Sequence, residues 1–143
     1  MLSRHYRSRP GWSQGRVVSS QECMARILIL DDEPLISEML ADWLVEMQCE
    51  PVGPAATVEE AMRLLAEAAP DAAILDVSLR DGDSTRCAEA LRDRGIPFAF
   101  ATGYGRRGLP KGFEDTLLLA KPFDFAHVRQ VIARFDTARS AAK

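Results

Sequence analysis

Five polar residues in this sequence stand directly behind short apolar runs. Asp31 and Asp32 follow ILIL, Asp76 follows AAIL, Thr102 follows FAFA and Lys121 follows LLLA. Brought together, three carboxylates repel one another, and burying them side by side is costly without a compensating cation. Oxygen donors with no histidine or cysteine among them favour Mg²⁺, a hard ion that keeps several waters and binds through carboxylates and a phosphate. The remaining pair suits a phosphoryl group: a Thr hydroxyl donates to one oxygen and a Lys ammonium neutralises another. Asp76 is then the nucleophile, and attack by a carboxylate on phosphorus yields an acyl phosphate.

For that chemistry the runs must be strands whose carboxyl ends share one edge of a sheet. From Arg26 onward, buried runs alternate with helical spacings in five units, as in a doubly wound α/β fold with a parallel sheet. Ile27 to Leu30 reads as the first strand. Pro34 opens a helix whose apolar face is Leu35, Ile36, Met39, Leu40, Trp43, Leu44 and Met47. Glu50 to Pro54 is a weak strand, and Pro51 and Pro54 assign it to an edge. Thr57 and Glu60 form a capping box ahead of Val58, Ala61, Met62 and Leu65, and Pro70 closes that helix. Ala72 to Leu75 is the third strand, Pro97 to Ala101 the fourth and Thr116 to Ala120 the fifth. Helices are predicted near Ser84 to Arg94 and from about Asp124 to Arg139. Between them, Gly103 to Gly112 holds four glycines and a proline, which predicts a short, frayed or absent helix. Open α/β sheets bind ligands at the carboxyl ends of their strands, where all five polar residues fall.

Composition narrows the function classes. The chain has 143 residues, 47% hydrophobic and 27% charged, in the range of one globular domain. Its net charge of -3 is uneven, because residues 1–23 hold Arg4, Arg7, Arg9 and Arg16 against Glu22 alone. An acidic body argues against nucleic acid as a partner. Residues 1–23 read as a disordered extension, residues 24–143 as the domain, and Met24 permits a second start. No apolar run reaches the roughly 20 residues that span a bilayer, which predicts a cytoplasmic protein with no membrane contact. Cys23, Cys49 and Cys87 lack metal-ligand spacing and read as reduced thiols. Asp81 and Asp83 flank Gly82 as turn formers.

With these residues in place, the chain resembles the receiver domain of two-component response regulators over Ala25 to Arg139. The residues carrying the resemblance are the acids of ILILDDEP, Asp76 in AAILDVSLRDGD, Thr102 in FAFATGYG and Lys121 in LLLAKPFD. The resemblance implies a flavodoxin-like (βα)5 fold of strand order 2-1-3-4-5. It also implies Mg²⁺ held by the Asp31 and Asp32 pocket, by Asp76 and by the backbone carbonyl of Ser78. Asp76 would be the phosphoacceptor, Thr102 the switch hydroxyl and Lys121 the phosphoryl partner, with a cis bond before Pro122. A sensor histidine kinase or histidine phosphotransfer protein would donate the phosphoryl group. A downstream protein target would read it, and the only catalysis would be of the domain's own phosphorylation and dephosphorylation.

One position departs from the family. Where typical receivers carry a Tyr or Phe three residues before the lysine, this chain has Leu118. The segment Phe100 to Gly105 resembles the alphaproteobacterial single-domain subgroup with a Phe-Ala-Thr-Gly motif, in which Tyr104 would take over part of the switch. Two other classes are weaker. A phosphatase with an aspartyl intermediate needs a second Asp two residues after the nucleophile, and this chain has Ser78 there. A flavin domain of this topology wants Ser, Thr and Gly where this chain has acids.

Overall fold

A computed structural model describes residues 25–141. The extension expected over residues 1–23 lies outside the described residues. Five strands form one parallel sheet: β1 (Arg26–Leu30), β2 (Glu50–Ala55), β3 (Ala72–Asp76), β4 (Phe98–Thr102) and β5 (Leu117–Ala120), in the order β2-β1-β3-β4-β5. Four α-helices cover it: α1 (Pro34–Glu46), α2 (Val58–Ala68), α3 (Thr85–Asp93) and α4 (Phe125–Ala141). This is the doubly wound topology and strand order expected from the sequence, with one change from five strand-helix units. The fourth crossover is a 3₁₀ turn, Gly105–Gly108, and a loop, as its glycines predict.

Alternation along the strands divides the core. Leu28, Leu30, Ala73, Leu75 and Phe100 face α2 and α3, meeting Val58, Ala61, Leu65, Cys87, Ala88 and Leu91. Ile27, Ile29, Ile74, Ala99, Ala101 and Leu119 face α1 and α4, meeting Leu40, Leu44, Val128, Ile132 and Phe135. Burial on both faces is why the strands read as continuous apolar runs. Leu109 and Phe113 from the fourth crossover enter the α2/α3 layer, where a full helix would have supplied apolar residues. Phe98, Phe100 and Phe113 pack edge to face, with centroids 5.6 to 5.9 Å apart. Arg92 of α3 lies over the Phe113 ring at 4.2 Å.

Local signals hold with small corrections. Thr57 Oγ1 accepts the Glu60 N–H at 3.1 Å, and the Glu60 carboxylate reaches back to the Ala56 N–H. β2 is an edge strand, and the Gly53-Pro54 and Lys121-Pro122 peptides are cis. Leu35 is not on the buried face of α1; it is 81% exposed. Among the described residues Cys87 is a free, buried thiol. Among the described residues, no helix is long and apolar enough to cross a membrane.

Candidate functional site

The parallel sheet aligns the ends of β1, β3, β4 and β5. Asp76 is the last residue of β3 and lies opposite Ala101 in the β4 register, one residue before Thr102. Asp31 and Asp32 follow β1, and Lys121 follows β5, its N–H donating to the Thr102 carbonyl at 2.9 Å. Oxygens of Asp31, Asp32 and Asp76 lie within 4.8 Å of one another. Lys121 Nζ is 3.4 Å from Asp31 Oδ2, 3.4 Å from Asp76 Oδ2 and 3.2 Å from Glu33 Oε1. Four of the five residues singled out by their spacing thus form one cluster.

The cluster is short of positive charge. Burial raises the Asp76 pKa to about 6, and the neighbouring Asp31 carboxylate adds to this; Lys121 and the Ser78 N–H pull the other way. Burial also raises Asp31, against the Glu33 N–H and Lys121. For Lys121, desolvation is the largest single influence and lowers the pKa. Asp31, Asp76 and Glu33 together outweigh it, so the ammonium is held above its ordinary value. Lys121 and the exposed Arg80, whose Nε lies 3.8 Å from Asp32 Oδ2, face four carboxylates, Asp31, Asp32, Asp76 and Glu33, which leaves a surplus of negative charge. A set of three carboxylate donors at this spacing fits a hard divalent ion.

The other expected residues take different places. Thr102 is buried, and its Oγ1 accepts the Tyr104 N–H at 3.1 Å. Tyr104 is 78% exposed, so its ring lies outside the carboxylate cluster. Ser78 begins a small hairpin in which Ser78–Leu79 pairs with Gly82–Asp83. That hairpin contributes contacts the spacing did not announce. The Arg80 N–H donates to Asp32 Oδ2 at 2.7 Å, fixing the carboxylate from outside, and Asp81 Oδ2 accepts the Val58 N–H at the start of α2. Asp83 acts as the turn former it was read to be, accepting the Thr85 N–H. Glu33 was also missed as a lysine partner; its signal was its place in the acidic trio.

The comparisons with known proteins agree with this geometry. Residues 27–133 match the response regulator receiver domain. The chain is 35% identical over 112 residues to the phyllosphere-induced regulator PhyR of Methylorubrum extorquens, covering 76% of this chain and 42% of that protein. It is 32% identical over 117 residues to the sensory transduction protein LytT of Bacillus cereus, covering 78% and 47% respectively. The chain therefore spans about half the length of these curated relatives. The solution structure of SdrG from Sphingomonas melonis Fr1 is 43% identical, with a TM-score of 0.68, covering 82% of this chain and 98% of that one. Sequence family, topology and the cluster at the strand ends converge: the chain belongs to the response regulator receiver domain family, the phosphorylated module of two-component signal transduction.

Proposed function

We propose that Asp76 is the phosphoacceptor, that Asp31, Asp32, Asp76 and the Ser78 carbonyl hold Mg²⁺, and that the phosphorylated domain signals by binding another protein. The observation that carries this is the placement of Lys121 Nζ 3.4 Å from Asp76 within a cluster of three carboxylates. An Asp76 oxygen attacks phosphorus as the bond to the leaving group breaks, giving an aspartyl phosphate. Lys121 then offsets the charge of a phosphoryl oxygen, and Thr102 donates its hydroxyl to another. Bound Mg²⁺ would supply Lewis-acid neutralisation of the two anions as they approach. The raised pKa of Asp76 keeps the metal-free carboxylate poised near neutrality.

A histidine kinase or histidine phosphotransfer protein is the proposed donor. Support comes from the exposed Leu35 and the apolar cavity lined by Ile36, Met39, Pro122 and Phe123 beside Lys121, an apolar landing surface next to the acceptor. The target of this chain is proposed as a protein, not nucleic acid. Incubation with acetyl phosphate and Mg²⁺ should add one phosphoryl mass and release acetate. Asp76→Asn should remain unmodified, and a phosphoryl adduct that persists in it would sink the assignment.

A further inference from the structure

We infer that Gly108 is a positioning residue for the Thr102 hydroxyl, its bare Cα being the seat that holds Oγ1 in the resting orientation. The inference rests on the roles proposed above for Asp76 and Thr102. A Cβ on Gly108 would fall 2.7 Å from Thr102 Oγ1, 2.9 Å from Tyr104 Cβ and 3.6 Å from Thr102 Cβ. The nearest atom is the hydroxyl oxygen, so Oγ1 is the part of Thr102 turned toward the 3₁₀ turn. The Tyr104 N–H donates to that same oxygen.

The need for glycine at this position is one of space, because Gly108 does not adopt the left-handed conformation that Gly105 and Gly112 do. The turn is held on its far side as well. Arg106 Nη1 donates to the Glu114 and Thr116 carbonyls at 3.0 and 2.9 Å, and the next residue, Leu109, is buried. Thr102 Oγ1 is therefore clasped between the Tyr104 amide and the Gly108 backbone, both parts of one anchored loop. In the role proposed for Thr102, activation turns this hydroxyl toward a phosphoryl group on Asp76 and out of the seat, so the stability of the seat opposes activation. Loosening it raises the fraction of molecules in which the hydroxyl is free.

Gly108→Ala places a methyl where Oγ1 now rests. Amide NMR spectra of this variant, without phosphoryl donor, should move at Thr102 and Tyr104 toward the positions that wild type reaches with beryllofluoride and Mg²⁺. Labelling by acetyl phosphate should quicken several-fold. Arg106→Ala, a surface change that releases the turn without a clash, should shift both readouts the same way by less. Should Gly108→Ala fail to fold, Arg106→Ala decides. Thermal melts close a cycle: Gly108→Ala should cost less in a Thr102→Ala background than in wild type. Unmoved Thr102 and Tyr104 resonances, or slower labelling in both variants, would overturn the inference. Wild type that takes up neither beryllofluoride nor phosphoryl would instead overturn the proposed roles of Asp76 and Thr102.

Discussion

Asp76 is the residue at which stability and function pull apart. Its folded pKa of about 6 lies above the ordinary 3.8, so folding disfavours the ionised form. Stability linked to this group is full below about pH 3.8 and is lost as pH rises through about 6. At neutral pH, Asp76→Asn should therefore stabilise the metal-free protein, by on the order of 2 kcal/mol, and the gain should vanish at low pH. Urea titrations across the pH range measure this; a mutant less stable than wild type at pH 7 would contradict it. Lys121 is shifted in the same direction but in an alkaline window, and there it is the charged form that folding favours. Its raised pKa means that its contribution is present at neutral pH and is lost only as pH climbs through the folded value. Lys121→Met leaves Asp31, Asp76 and Glu33 facing one another, so it should lower the melting temperature and slow labelling together.

At the scale of elements, the fourth crossover is where the sheet lacks a helix and makes up for it. Phe113 meets Phe98 and Phe100 edge to face and carries Arg92 above its ring, although it sits in a loop. Phe113→Ala should cost about 3 kcal/mol, the loss of a core aromatic, as chemical denaturation would show. A cost typical of loop residues would mean that the layer closes without it. The elements were largely legible in the sequence because buried strands, the Thr57 and Glu60 cap and the glycine-rich gap are local signals. Asp31, Asp32, Asp76 and Lys121 were legible because parallel strands must deliver their ends to a common edge. What escaped was non-local: the Arg80 amide on Asp32, the Asp81 contact to α2 and the use of Phe113 in place of a helix all depend on how loops fold back. The exposure of Leu35 escaped for a related reason, since helical periodicity marks an apolar stripe without saying which of its residues the fold covers.

Over the whole molecule, the cluster, the apolar ground beside it and the 3₁₀ turn that opens the fourth crossover share one end of the sheet. Mg²⁺ should raise the melting temperature in proportion to the logarithm of its concentration once binding saturates. Asp32→Ala should flatten that response; a metal-dependent shift retained in full would place the ion elsewhere. Leu35→Asp should slow transfer from a cognate kinase more than labelling by acetyl phosphate, because the small donor needs no docking surface. Phosphorylation at this end is also predicted to remodel Tyr104 to Phe123. Amide exchange with and without beryllofluoride measures it, and unchanged protection across that stretch would count against a switch there. The two flanks of the sheet differ in what they offer a stranger. Pro51 and Pro54 deprive β2 of two N–H groups in a six-residue strand, whereas every residue of β5 from Leu117 to Ala120 has one. An extended segment from another chain can build a ladder only poorly along β2, so augmentation of the sheet is directed to β5, the flank that runs into Lys121.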